Sequence, residues 1–278
     1  MKSRAKLLIA LLSALFFSGN STPSTVLRAP ANTRDSPPFT IGERLVYNVE
    51  WNPPWYFFFL PAMDAGEAEL NLAGETVHEG RRALKIVFQA RSSGTLAKLA
   101  GVKVDDHFEF ITDPETFCTY EVNKKLREGR RKRDIAVVYD KPRRRLHFRE
   151  VDVGINPPRL KRDEYIKDIP ECVRDLFSAL YNARLRELSL GSSHRSVVGD
   201  NDHVKEIEAQ VEKREIVETP KGKYEAWRLN TIALLGGLFK NGGEFKIWLS
   251  ADERKLPVQF EAKVSLGKVS GKLKELEP

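Results

Sequence analysis

The chain is predicted to be mainly β: an antiparallel, strongly curved sheet or barrel-like fold with one packed α-helix at about 172–186. Three observations carry this. Apolar residues recur at every second position through most of the chain, short turn signals separate these runs, and one segment alone has helical spacing. Many alternating strands joined by short turns read as antiparallel β.

The first 21 residues read as a secretory signal. Lys2, Arg4 and Lys6 form a positive start, Leu7 to Phe17 an apolar run, and Gly19 and Ser21 a small-residue exit. The run is short for a bilayer span. No cysteine stands at the exit to take a lipid. Residues 22–37, rich in Ser, Thr and Pro, read as a polar linker. A single β-rich domain is expected over 38–276. Its predicted setting is the periplasm or cell envelope, soluble after signal cleavage.

The domain opens with Leu45, Tyr47, Val49 and Trp51 at every second position. Leu84, Ile86 and Phe88 repeat the pattern, as do Val104, Phe108 and Phe110. Strands TFCTYEVNKK and DIAVVYD flank a basic turn, and RRLHFREVDV returns from it. Four more segments follow: EIEAQVEKREIVE, GKYEAWRLNTIAL, EFKIWLSADERKLPVQFEAKV and GKVSGKLKEL. Glu79-Gly80, Asp140 to Pro142, Pro220 to Gly222, Asn241 to Gly243 and Asp252 to Arg254 mark turns. Between these two sets of strands, Val173, Leu176, Phe177, Leu180 and Tyr181 share one helical face. Pro170 stands near the helix start, where Glu171 or Asp175 would favour the N-terminus.

Charge excludes little except nucleic acid. The 46 basic and 39 acidic residues give +7, and losing the three basic residues of the signal leaves +4. The basic residues Arg127, Arg130, Arg131, Lys132 and Arg133, with Lys141, Arg143, Arg144 and Arg145, read as solvated hairpin or as a contact for anionic headgroups. Cys118 and Cys172 are the only cysteines and can pair in an oxidising compartment, a closure worth roughly 3–4 kcal/mol. Whether the fold brings them together is open at this point.

Active-site motifs are missing: no GxSxG, HExxH, phosphate-binding loop or GxGxxG is found. Asp105, His107 and Glu109 share a strand face opposite Phe108 and Phe110. They read as a solvated face, with acid–base chemistry as the sharper alternative. His194, Asp200, Asp202 and His203 carry metal-ligand types without a recognisable spacing. No catalytic residue, metal site or cofactor is expected.

In order, several segments resemble the DUF3108 family of exported bacterial proteins of unknown function. Phe39, Gly42, Glu43, Leu45 and Tyr47 resemble its opening strand, and Ala65, Gly66 and Ala68 the segment after it. Asp175, Leu176, Ser178, Ala179, Leu180, Tyr181 and Arg184 resemble its helix. Thr219, Pro220, Gly222, Tyr224 and Ala226 resemble a later strand. Ile247 to Ser250, Asp252 and Leu256 to Val258 resemble a hairpin, and Gly267 with Leu273 its closing strand. The resemblance covers about 39–275 and implies an envelope-located β-rich domain without an established reaction or cofactor. It also makes PPWYFFFLPAMD look like an insertion between the first strand and the segment that follows.

That insertion is the sharpest functional signal. Burying Trp55, Tyr56, Phe57, Phe58, Phe59 and Leu60 would gain roughly 1.5–3 kcal/mol per side chain, so six such groups left in water are not expected. The flanking prolines disfavour both helix and central strand. Two other strand connections are apolar, with Leu96 and Leu99 in one and Leu234, Leu235, Leu238 and Phe239 in the other. If the three meet, they form a greasy rim, which either caps the core or meets a ligand. The leading expectation is a noncatalytic envelope protein binding lipid or another hydrophobic ligand at that rim. The alternatives are an assembly or structural factor that binds another envelope protein, and an enzyme acting on envelope glycan or lipid through Asp105, His107 and Glu109.

Overall fold

A computed structural model describes residues 37–54, 60–94, 103–233, 245–264 and 267–278. The strands are β1 (Arg44–Asn52), β2 (Met63–His78), β3 (Arg81–Ser92), β4 (Asp105–Thr112), β5 (Thr119–Glu128), β6 (Arg131–Asp140) and β7 (Arg145–Asp152). After β8 (Arg159–Lys167) comes a helix, α1 (Leu176–Arg184). Then follow β9 (Ser193–Asp200), β10 (His203–Thr219), β11 (Gly222–Ala233), β12 (Phe245–Ser250), β13 (Pro257–Val264) and β14 (Gly267–Glu277). All fourteen form one sheet in the order β8-β7-β6-β5-β4-β3-β2-β1-β14-β13-β12-β11-β10-β9.

Every neighbouring pair is antiparallel. The chain is therefore a meander whose first and last strands pair, leaving β8 and β9 as the two edges. The predicted antiparallel, curved, barrel-like class holds, and the sheet stays open at this seam. Register shifts at Val46/Tyr47, Val49/Glu50 and Leu72/Gly74 mark bulges, which bend and twist a sheet.

Alternation places Leu45, Tyr47, Leu72, Ile86, Phe110 and Phe148 in one continuous buried core. At Gly271 the inner face has no room for a side chain: an added Cβ would lie 2.2 Å from the Phe260 ring. Phe260 in turn packs edge-on against Tyr47, with ring centroids 5.5 Å apart.

A pure meander sends its connections alternately to two ends. One end, here the lower, holds the start of β1, the β4–β5 and β12–β13 turns and the α1 crossover. There α1 packs into the core. Phe177 stacks on Phe88 with centroids 4.6 Å apart, and Tyr181 meets Phe39 at 5.0 Å. The helix is shorter than the predicted 172–186. Its first turn is pre-empted because Cys172 is disulfide-bonded to Cys118 and Arg174 pairs with Val198 as a parallel bridge. Asp175 is the N-cap, its carboxylate accepting from the Phe177 and Ser178 amides. Ser178, fully buried, donates to the same carboxylate.

The Cys118–Cys172 bond has Cα atoms 5.1 Å apart and spans 54 residues. It ties the β4–β5 turn to the helix approach. Close by, the Thr119 amide donates to Val173 O at 2.8 Å and the Arg174 amide to Val197 O at 2.9 Å. The short segment before α1 thus bridges β5 to the β9 edge.

Candidate functional site

The opposite, upper end carries the β1–β2, β3–β4, β11–β12 and β13–β14 connections. In sheet order these are four consecutive hairpins. The strands at their bases touch. An added Cβ at Gly94, at the exit of β3, would lie 2.0 Å from the Asp64 carboxylate on β2. One at Gly267, which has φ +92°, would lie 2.2 Å from Asn52 O and 3.1 Å from Pro54. Both positions exclude a side chain and press neighbouring hairpins together. The Ser93 amide adds a 3.2 Å bond to Ala65 O.

Of the predicted rim residues, Leu60 is half-buried just ahead of β2. Trp55, Tyr56, Phe57, Phe58, Phe59, Leu96, Leu99, Leu234, Leu235, Leu238 and Phe239 lie outside the described residues. The strands that lead into and out of those segments all meet the upper end, three of the four consecutive hairpins being theirs.

The basic residues read as one cluster in the sequence belong to both ends. Arg127 to Arg133 surround the β5–β6 turn at the upper end, whereas Lys141 to Arg145 surround the β6–β7 turn at the lower. Most are already paired. Arg127 meets Asp134 at 2.7 Å, Arg131 meets Glu128 at 3.5 Å, and Arg133 pairs with Glu150. At the other end, Arg143 and Arg145 share Asp140 at 3.1 and 3.0 Å.

The acidic face of β4 is outward and partnered. Arg91 meets Asp105 at 3.3 Å, Lys85 meets Glu109 at 3.0 Å, and the His107 ring lies 3.1 Å from Glu109. Burial pushes Glu109 up, but the His107 and Lys85 contacts outweigh it and leave the carboxyl below its ordinary range. This is an ion-paired outer surface rather than a convergent polar pocket.

Asp200 and Asp202 are drawn onto cations across the open seam. Lys124 on β5 reaches Asp200 at 2.6 Å, and Arg162 on β8 reaches Asp202 at 2.6 Å. His194 instead contacts Glu187 O at 3.2 Å. Among the described residues, no group of three or more metal-ligating side chains is present.

The sequence groups Asp106 with Asp105, His107 and Glu109 as an acidic stretch but singles out neither Asp106 nor Glu128 as a site. Asp106 lies on the inner face of β4 with Phe108 and Phe110, and Glu128 on the inner face of β5 with Val122 and Leu126. They are 1% and 2% exposed, near the upper end. The Arg127 amide donates to Asp106 Oδ1 at 2.7 Å. Among the described residues, Asp106 Oδ2 and Glu128 Oε2 accept no hydrogen bond, the nearest cation to the latter being Arg131 Nη1 at 3.5 Å. Burial raises Asp106 to about 6, and burial with the charge of Asp106 raises Glu128 to about 7. The signal was in the alternation: both acids share the parity of buried apolar residues.

A family model described as "Protein of unknown function (DUF3108)" matches residues 46–274. The chain resembles a solved β-barrel-like protein of a domain of unknown function, DUF1849, from Brucella abortus. The TM-score is 0.57 at 10% identity, over 85% of this chain and 97% of that one. That likeness is one of fold. A second structure comes from Bacteroides fragilis and is described as a candidate exported protein with a YmcC-like fold. It covers 87% of this chain and 98% of that one at 12% identity, and its TM-score of 0.29 is too low to carry an argument. No curated protein matches the chain significantly.

Proposed function

The chain belongs to the DUF3108 family, and from that premise we propose a noncatalytic, exported cell-envelope protein that takes up a lipid or similar hydrophobic ligand at the upper end of its sheet. One observation carries the reading: the strands flanking the apolar connections belong to three of four consecutive hairpins at one end, whereas the helix, the disulfide and the segment ahead of β1 occupy the other. Connections scattered over both ends would bury separately. Strands that deliver three apolar connections to one end favour a shared apolar surface of the kind a hydrophobic ligand needs.

Export rests on the charged start and apolar run of residues 1–21. The disulfide supports it, since such bonds persist in oxidising compartments. No described helix is long and apolar enough to cross a membrane. Five of the nine basic hairpin residues are held in ion pairs, which favours apolar contacts over charge as the source of affinity.

A photo-crosslinker placed at Trp55 tests this in cell envelopes. A lipid adduct supports the reading, and an adduct to another protein favours the assembly-factor alternative. That alternative has its own observation: β8 is an edge strand with Leu160 and Tyr165 half exposed, open to strand addition.

A further inference from the structure

We propose that Asp106 and Glu128 form a proton-operated latch that holds the β4–β5–β6 corner of the upper end closed and loosens it when both carboxyls ionise. The latch stands whether or not the rim takes up lipid.

The two acids sit on paired strands and both side chains are almost wholly buried; among the described residues Asp106 Oδ2 accepts no hydrogen bond, and Glu128 Oε2 has only Arg131 Nη1 at 3.5 Å. Arg127 and Arg131 favour the charged form of Asp106, and Arg131 and Arg133 that of Glu128, but burial outweighs them in both acids. From β6, Arg131 reaches Glu128 only at 3.5 Å, and Arg133 is committed to Glu150 of β7. From β5, the Arg127 guanidinium turns to Asp134 and to the carbonyls of Leu126 and Arg133. On β4 itself, Asp105 adds negative charge, and β3 places Ala90 opposite Asp106. A proton on either acid removes one buried charge. The charge of Asp106 raises Glu128 further, so ionising the first acid hinders ionising the second.

The corner they hold is lightly built. Val104 and Glu128 form an isolated bridge beyond β4, and the Gly129 amide donates to Lys103 O at 2.8 Å. Lys103 stands just ahead of β4, so loosening here frees the entry to that strand.

The sign follows from proton linkage. Both acids are raised in the closed corner, so closure binds protons. Closed-state stability is complete at acid pH and is lost as pH rises through about 6 and then about 7. Amide hydrogen exchange at pH 5.5 and 7.5, corrected for intrinsic exchange, tests this on the whole exported chain. Protection of the Arg127 and Gly129 amides should fall about tenfold or more on going to pH 7.5. The Gly42 and Leu72 amides, bonded to Leu72 O and Glu43 O at the lower end, should be unchanged. The double variant Asp106→Asn, Glu128→Gln should abolish the pH dependence. Equal protection of Gly129 at both pH values in the wild type overturns the latch, as does a loss spread evenly over the sheet. The wild-type series decides the matter even if the variant fails to fold.

Discussion

Glu43 and Arg184, 141 residues apart in sequence, form a fully buried ion pair at the lower end, with Arg184 Nη2 2.9 Å from Glu43 Oε2. The guanidinium is otherwise occupied by Pro38 O and Arg254 O, both at 3.1 Å, and lies over the Phe39 and Tyr181 rings. Just past the helix, Lys255 donates to Arg184 O at 3.2 Å and to Arg186 O. Glu43 is followed directly by β1 and Arg184 ends α1, so one contact docks the helix onto the opening strand. Arg184→Met should destabilise the fold by about 3–5 kcal/mol, because it leaves the buried carboxylate with only the half-exposed Arg254 guanidinium, 3.7 Å away, as a cation. Chemical denaturation of Arg184→Met, Glu43→Gln and the double variant checks this. The double variant should cost clearly less than the two singles added together.

Reducing the Cys118–Cys172 bond, or replacing both residues with Ser, should cost about 2–4 kcal/mol. The loss should appear as a lower denaturation midpoint that a reductant produces in the wild type but not in the variant. The bond joins the β4–β5 turn to the residues just before α1, so amides of that turn should lose protection first.

Gly271→Ala tests the packing of the inner face. The new Cβ would lie 2.2 Å from Phe260, and that ring is held against Tyr47, whose hydroxyl donates to Pro257 O at 2.8 Å. Overpacking of this kind costs about 1–3 kcal/mol. Thermal unfolding measures it, and Gly271→Ala in a Phe260→Leu background should cost less.

Asp113, in the β4–β5 turn, gives an acid-limb prediction. Burial raises this carboxyl, but a 2.7 Å bond from the Tyr120 hydroxyl and the Thr116 and Glu115 amides lower it to about 2. A lowered acid stabilises the fold above its unfolded value, and that stability drains as pH falls through the folded value. Between about pH 4 and pH 2 the wild type should lose stability, and Asp113→Asn should show a shallower slope in the same window.

Most strands were legible because half-buried β writes its burial into every second residue. Leu45, Tyr47 and Trp51 are buried as the alternation requires. β8 was not legible, because an edge strand with both faces largely wet carries no such pattern: RLKRDEYIK is exposed or half-exposed throughout. The early limit of 172 for the helix failed for a tertiary reason. Helical spacing cannot show that Cys172 is bonded and that Arg174 pairs with β9. The buried acids are harder to read: a carboxylate normally marks a solvated position, and only its shared parity with Phe108 and Phe110, or with Val122 and Leu126, points inward. The grouping of apolar connections at one end needed the strand order, which depends on β1 pairing with β14 across the whole length of the chain.

The same grouping sets the decisive measurement. The exported protein, purified without detergent, is extracted with organic solvent and the extract analysed for lipid, alongside the triple variant Phe57→Ser, Phe58→Ser, Phe59→Ser. The account predicts bound lipid in the wild type and a background level in a variant with an unchanged unfolding midpoint. A folded variant that carries the same lipid load as the wild type would contradict it.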